Sequence, residues 1–452
     1  SLSLKKRGDG VAVLLFDTPK RPVNVLSGAM LEEAAPLMEE IEGDDGVLAV
    51  VLASGKPDSF IAGADLDVVV KMTAAEAEAV SRGAHAWLSR VEASRKPFVA
   101  AIHGAALGGG LEVALACAYR IASDHPKTVL ALPEVMLGVL PAAGGTQRLP
   151  RLIGLQRALP MLLTGKRVRA AQAVRHGLVD ALTSPGGLVE TAAKAALALA
   201  KGTLPPSRDR QPLTEKPLAL PPLRAWVLGK AREEVMRKTR GLYPAPLEIL
   251  ACVEKGLADG MKAGLEEEAV RFGALVGSEK AKNLIRLFDA MTELKKAPKG
   301  EVEPAPVRRV GVLGAGLMGE GIAAVSLPLA PVVLKDVSDE GLGRAARSLR
   351  KGLDRRVRSG ALTRLERDRQ WFGLAPTTRP EDLAGCDLVI EAVFEDLALK
   401  RKVLAESEAV VGPEAVFASN TSALPIAEIA KGAKVPERVV GMHYFSPVPK
   451  MP

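Results

Sequence analysis

Ala106-Leu107-Gly108-Gly109-Gly110-Leu111-Glu112 sets three consecutive glycines ahead of an Ala- and Leu-rich helical run. Glycines there let backbone approach a ligand closely, and the helix that follows offers free N–H groups at the positive end of its dipole. Far downstream, Val312-Leu313-Gly314-Ala315-Gly316-Leu317-Met318-Gly319 opens a second unit with a different glycine spacing. The chain is expected to carry two separate sites on α/β scaffolds.

Outward from the first turn, 11–16, 47–53 and 98–102 are short β-prone runs that alternate with helix-like segments at 31–42 and 74–94, an α/β pattern. Residues 155–201 and 223–294 read as mainly helical, interrupted by the proline-rich stretch 202–222. Residues 295–306 mix charge, Pro and Gly without apolar periodicity, as linkers do. A strand at 310–313, a helix at 317–325 and a strand at 332–334 then begin a parallel βαβ sheet, with later strands at 388–391, 415–419 and 439–443. The expected division is 1–190 for the first α/β domain, 191–294 for a helical extension, 295–306 for a linker and 307–452 for a doubly wound nucleotide-binding domain.

Composition narrows the function. A chain of 452 residues exceeds the usual single core, and 48% hydrophobic with 25% charged residues is ordinary for a folded protein. No apolar run approaches the roughly 18 residues a membrane span needs, and the first residues lack a secretory core. A soluble intracellular protein is expected, cytoplasmic if bacterial and in the mitochondrial matrix or on the inner-membrane face if eukaryotic. Membrane association is left open but is not indicated. Cys117, Cys252 and Cys386 are widely spaced and odd in number, so neither a disulfide framework nor a metal site is expected, and they read as buried apolar residues. The +8 net charge is dispersed and aromatics are 3%, too few for base stacking, so nucleic acid is not the expected partner. Excess positive charge suits a ligand with several phosphates, coenzyme A among them, or serves solubility alone.

At the first turn, Gly109 begins the helix, and Phe60-Ile61-Ala62-Gly63-Ala64-Asp65-Leu66 offers a second small-residue loop. Amides from the two can hold one oxyanion between them. Glu112 and Glu134 stand 22 residues apart, and a helix with a returning turn can bring them together. Two carboxylates can divide a proton abstraction and a proton delivery between them. An isolated Glu near a helix start is ordinarily a solvated, dipole-compensating residue; the glycine-rich context reverses that reading. His103, before Gly104 in an apolar segment, reads as a satisfied core histidine.

From about residue 10 to 190 these motifs, with Pro133-Glu134 and Gly144-Gly145-Thr146-Gln147-Arg148, resemble the crotonase, or enoyl-CoA hydratase/isomerase, superfamily. The resemblance implies a spiral ββα fold. It implies that the amides of Ala64 and Gly109 bind a thioester oxygen, that Ala62 and Gly63 line the substrate, and that Glu112 and Glu134 perform hydration. Ala142 stands where the family has glycine, which is expected to shift that loop slightly.

Gly314, Gly316 and Gly319 are weak as a bare pattern, but a strand precedes them, a helix follows, and Asp336 ends the next strand 20 residues beyond Gly316. An acidic residue there reaches the adenosine ribose and favours NAD, while Lys335 and Arg344 keep NADP as an alternative. From about 307 onward, Glu391-Ala392-Val393-Phe394-Glu395-Asp396, Ser419-Asn420-Thr421-Ser422 and Gly441-Met442-His443-Tyr444-Phe445-Ser446-Pro447 resemble the L-3-hydroxyacyl-CoA dehydrogenase family. The resemblance implies NAD on the turn that includes Leu317 and Met318 and against Ala392, Glu395 and Lys400, a substrate hydroxyl on Ser422, and His443 as the base. Ser446 replaces a more usual asparagine, and the turn 327–331 is one residue short and lacks a glycine. The family also carries a glutamate about a dozen residues after the histidine and an all-helical domain, which the sequence to Pro452 does not include; the dehydrogenase half is expected to be inactive as written.

Order, linker and the segment at 238–246 together resemble the multifunctional α subunits of fatty-acid β-oxidation, bacterial and mitochondrial. That implies acyl-CoA substrates, an oligomeric assembly and a thiolase β subunit as partner. The competing readings are a non-catalytic acyl-CoA-binding scaffold, and a front half that acts as a Δ3,Δ2-enoyl-CoA isomerase or thioester hydrolase.

Overall fold

The computed structural model describes residues 1–207, 220–295 and 304–451. The chain divides into two units, residues 1–297 and 298–452, and most of the expected linker lies outside the described residues. No described helix is long and apolar enough to cross a membrane.

The first unit carries strands β1 (Leu2–Lys6), β2 (Val11–Phe16), β3 (Ala49–Ser54), β4 (Ser59–Ile61), β5 (Phe98–Ile102), β6 (Ala105–Leu107), β7 (Tyr119–Ser123), β8 (Val129–Ala131), β9 (Val168–Arg169) and β10 (Ala181–Thr183). They form a six-stranded sheet ordered β1-β2-β3-β5-β7-β10 and a four-stranded sheet ordered β4-β6-β8-β9. The first sheet is parallel apart from β1. Its central strand β5 is buried at every position and β3 at all but its last, as expected of parallel strands covered on both faces.

The helices are α1 (Gly28–Gly43), α2 (Leu66–Val69), α3 (Ala74–Ala93), α4 (Gly109–Ala116), α5 (Gly145–Ile153), α6 (Leu155–Thr164), α7 (Ala170–His176), α8 (Leu188–Ala200), α9 (Pro221–Thr239), α10 (Ala245–Asp259), α11 (Met261–Val276) and α12 (Glu279–Lys295). A reciprocal Thr73–Glu76 capping box starts α3, and its buried stripe Ala77, Ser81, His85, Leu88, Val91 follows the three-and-four spacing of one helix face.

The stretch 155–201 is mainly helical, as read from sequence, with the short strands β9 and β10 between its helices. The expected boundary at 190 falls inside α8, whose Leu188, Ala192, Ala196 and Leu199 pack on Ala49, Val51 and Val99 of the first sheet. The later helices are not a separate layer either: Ile249, Val253, Phe272 and Ile285 share one core with Leu14, Leu52 and Leu111.

The second unit is a six-stranded parallel sheet of β11 (Val310–Leu313), β12 (Val332–Lys335), β13 (Leu374–Thr377), β14 (Leu388–Glu391), β15 (Val416–Ser419) and β16 (Val439–Gly441). Its order is β13-β12-β11-β14-β15-β16, the doubly wound arrangement whose switch point lies between β11 and β14. Helices α13 (Leu317–Ser326), α14 (Asp339–Arg358), α15 (Arg364–Phe372), α16 (Leu397–Glu408) and α17 (Ile426–Ala430) complete it. The short turn at 327–331 closes with the amides of Leu329 and Ala330 donating to Ser326 O, and Val310 N then donates to Pro331 O. Its missing glycine leaves β11 in register with β12. The last strand stops at Gly441, so His443 lies beyond it rather than at its end.

Candidate active sites

In the first unit, β6 delivers the chain to Gly108, and α4 begins at Gly109. Gly110 can be nothing larger, because a β-carbon there would lie 2.2 Å from Ile61 O of β4. That contact presses the glycine turn against the 60–66 loop, and a β-carbon at Gly108 would stand 3.6 Å from the Gly63 α-carbon. At the bridge between Leu26 and Ala64, Leu26 N donates to Gly63 O and Asp65 N donates to Leu26 O, which leaves the Ala64 amide outside the pattern. Gly109, the first residue of α4, has no intrahelical acceptor for its own amide. Both residues are accessible to solvent while Glu112, one turn on, is buried. Ala62 and Gly63 lie in the same loop, with Ala62 N tied to Asn24 O.

Glu112 Oε1 accepts the Ala143 amide at 2.8 Å and the Gly145 amide at 2.6 Å. Its other oxygen, Oε2, faces Gly109, where a β-carbon would be 3.9 Å away. Glu134, in a single turn after Pro133, directs Oε1 toward Gly108, where a β-carbon would be 2.8 Å away. Both carboxylates thus approach the Gly108–Gly109 peptide. Glu134 Oε2 is buried and takes no hydrogen bond among the described residues, an arrangement that costs free energy unless a ligand or water completes it. Burial pushes Glu134 up to about 8, with the charge of Glu268 adding to it. Burial likewise raises Glu112 well above the usual carboxylate range, reinforced by Glu134 and Glu268 and only partly opposed by the two amides. The pair therefore holds at least one proton at neutral pH.

At Ala142, where a slight shift of the loop was expected, the carbonyl accepts Ser81 Oγ at 2.7 Å. Sequence reading missed Glu268 of α11, which is fully buried and accepts the amides of Gly144 and Thr146. It sits in the run Glu266-Glu267-Glu268, which resembles a solvated face; the only signal is that it falls on the buried stripe with Gly264, Ala269 and Phe272. Elsewhere, Asp58, His103 and His125 bring possible metal-ligand atoms within 4.8 Å. Both His103 nitrogens are engaged, by Ser123 Oγ and Pro57 O, and Asp58 is paired with Lys127, so the cluster reads as structural.

In the second unit, the glycine turn lies at the switch point. A β-carbon at Gly319 would meet Gly314 O at 1.7 Å, so only glycine lets α13 start this close to β11. At Gly316 a β-carbon would meet nothing within 4 Å. The N-terminus of α13, at Leu317 and Met318, has no side-chain cap. An uncapped helix end with open space over its glycine fits a pyrophosphate. Asp336 Oδ2 accepts the Ala315 amide at 2.6 Å and its Oδ1 accepts Ser338 N, which fixes the carboxylate against the turn where a ribose would lie. Lys335 lies 3.6 Å from Glu406, and Arg344 is paired with Glu340 on the exposed face of α14.

A cleft of about 490 Å³ opens beside the turn, and Met318, Ala392, Glu395, Lys400, Ser422 and His443 are among its lining residues. Lys400 is buried with Nζ 2.8 Å from Glu391 Oε1 and 3.2 Å from Glu395 Oε2. Glu395 Oε1 in turn accepts Thr421 Oγ1 and the amides of Ser422 and Ala423. Glu391 and Thr421, not singled out from sequence, therefore fix the loop that carries Ser422. On the far side, Tyr444 N donates to Asn420 Oδ1, and the His443 ring lies 4.6 Å from that of Phe445.

Comparison with known proteins agrees with this division. Residues 6–207 match the family model for enoyl-CoA hydratase/isomerase, and residues 309–452 match that for the NAD-binding domain of 3-hydroxyacyl-CoA dehydrogenase. The whole chain is 46% identical to the fatty acid oxidation complex subunit alpha of Shewanella amazonensis and 44% identical to that of Shewanella baltica. It spans 64% of the length of each of these curated relatives. Human mitochondrial delta3-delta2-enoyl-CoA isomerase superposes on 66% of the chain and 99% of its own, at 25% identity and a TM-score of 0.48. The chain joins a member of the enoyl-CoA hydratase/isomerase family to an NAD-binding domain of the 3-hydroxyacyl-CoA dehydrogenase family.

Proposed function

We propose that the first unit hydrates 2-enoyl-CoA thioesters to L-3-hydroxyacyl-CoA, and that the second serves oxidation of that product to 3-oxoacyl-CoA within a fatty-acid oxidation assembly. The observation that carries the reading is the pair Glu112 and Glu134 beside the Gly108–Gly109 peptide, with Glu134 Oε2 buried and, among the described residues, unpartnered. Hydration needs three things at once: a base for water, an acid for the α-carbon and a stabiliser for charge on the thioester oxygen. Water adds to the β-carbon as Glu112, held by two amides, accepts its proton. Glu134, protonated near neutrality, delivers a proton to the α-carbon. The negative charge that gathers on the thioester oxygen between these events is met by the Ala64 and Gly109 amides.

In the second unit the α13 N-terminus would hold the NAD pyrophosphate, Asp336 the ribose, and Ala392, Glu395 and Lys400 the nicotinamide side of the cleft. Bound NAD supplies the hydride acceptor. His443 takes the hydroxyl proton, a role suited to imidazole, and Ser422 orients the hydroxyl. A thiolase β subunit, which cleaves 3-oxoacyl-CoA, is the partner this order of reactions calls for.

The test is crotonyl-CoA hydration, followed as loss of enoyl absorbance, with the chain and with E134Q. The parent is expected to turn over, and E134Q to lose about 100- to 10,000-fold in kcat while still binding acyl-CoA. A parent that binds crotonyl-CoA without hydrating it would overturn the reading in favour of a scaffold. Faster turnover of a 3-enoyl than a 2-enoyl thioester would assign the dyad to isomerisation.

A further inference from the structure

We propose that Glu268 of α11 is a positioning residue of the hydration site, holding the 143–146 loop so that Glu112 receives its two amides. This rests on the hydratase reading and deepens it.

The loop at the start of α5 donates its amides alternately. Ala143 N and Gly145 N go to Glu112 Oε1, at 2.8 and 2.6 Å. Gly144 N goes to Glu268 Oε1 at 2.5 Å and Thr146 N to Glu268 Oε2 at 3.1 Å. Two carboxylates from helices more than 150 residues apart in sequence thus clasp one turn from opposite sides. With Gly144 left-handed (φ 93°) at the head of α5, fixing Gly144 and Thr146 to Glu268 holds the turn in the shape that brings the Ala143 and Gly145 amides to Glu112. Thr146 Oγ also donates to Glu268 Oε2, and His85 Nε2 of α3 lies 2.8 Å from Oε1, so both oxygens are fully engaged.

The groups that face Glu268 come from each packed element. His85 approaches from α3, and Cys252 from α10, its thiol raised by burial and by the Glu268 charge. Arg148 of α5 donates to Ala143 O and is paired with Glu92. Within α11, Glu266 and Glu267 are instead turned outward to Arg82 and Arg271. Glu268 thus anchors the loop that holds Glu112, and it contributes to the upward shift of both Glu112 and Glu134.

The experiment is the pH–rate profile of crotonyl-CoA hydration for the parent, E268Q and E268D, with carboxyl-carbon NMR titration of Glu134 in each. An amide cannot accept on both termini, so E268Q frees one end of the loop. Its kcat is expected to fall about 100-fold, as displacement of a reacting group from its geometry does, with KM unchanged. Loss of the negative charge lets Glu134 ionise more easily, so both the alkaline limb and the NMR titration move to lower pH. E268D keeps the charge but not the reach: kcat falls and the limb stays. Parent-like kcat and titration in E268Q would overturn the proposal, as would an equal shift in E268D. Should E268Q not fold, E268D decides alone, parent-like kcat counting against the proposal and a fall with an unmoved limb for it. Should the parent prove unable to hydrate, the hydratase reading fails, and the NMR titration still decides whether Glu268 acts on the site, a parent-like titration in E268Q counting against it.

Discussion

Glu134 holds its proton to about pH 8, against about 4.5 for an exposed glutamate, chiefly because its carboxyl is held away from water. The native state therefore binds more protons than the unfolded chain across that window, so the stability contributed by the neutral carboxyl is present below pH 4.5 and is lost as pH rises through 8. E134Q keeps the shape and cannot ionise. Its melting temperature is expected to match that of the parent at about pH 4 and to exceed it at about pH 9; a constant difference across that range would contradict the burial of an ionising carboxylate. In the second unit, Lys400 neutralises Glu391 where both are buried. K400M leaves Glu391 charged and unpaired, a change that costs about 3–5 kcal/mol, while K400M/E391Q is expected to recover most of it in urea denaturation. At this scale the sequence was informative where a residue sits beside a glycine turn, as Glu112 and Asp336 do. It was silent where a partner lies far along the chain. Glu268 meets Gly144 across 124 residues, and only its place on the buried helical stripe separates it from Glu266 and Glu267, which turn outward to Arg82 and Arg271.

Elements were legible by period, and their neighbours were not. The apolar face of α8 was readable as helical, but its cover, the first sheet, depends on strands more than 60 residues earlier. The β-prone run at 439–443 was readable too, yet β16 pairs with β15 only as far as Gly441 opposite Ser419, which releases His443 into the cleft. Packing of α4 gives a sharper test. G110A would drive a β-carbon to 2.2 Å from the Ile61 carbonyl, and because that neighbour is strand backbone it cannot turn aside. A loss of about 1–3 kcal/mol is expected, typical of overpacking. G83A, on α3 with nothing within 4 Å of the added carbon, is the control and should stabilise by about 0.5–1 kcal/mol through helix propensity. Equal effects at the two positions, measured by chemical denaturation, would mean that α4 is not pressed against β4 as described.

Each unit buries its own core: Leu14, Leu52 and Leu111 lie in the first, and Val312, Ile322 and Leu334 in the second. Separate cores predict separate cooperative transitions, and a ligand that binds only one native unit should raise only that transition. NAD at about 100 times its dissociation constant is expected to stabilise the second unit by about 2.7 kcal/mol and to leave the first where it was. Calorimetry with and without NAD reads this directly, and crotonyl-CoA offers the reciprocal experiment on the first unit. G319A supplies the control, since a β-carbon 1.7 Å from Gly314 O must displace the turn that faces the pyrophosphate, so the NAD-dependent shift should shrink or vanish. If NAD raised both transitions together, the units would be energetically coupled, and hydration and oxidation would have to be understood as properties of one cooperative body. If it raised only the first, the doubly wound unit would not be the nucleotide site, despite its glycine turn and the placement of Asp336.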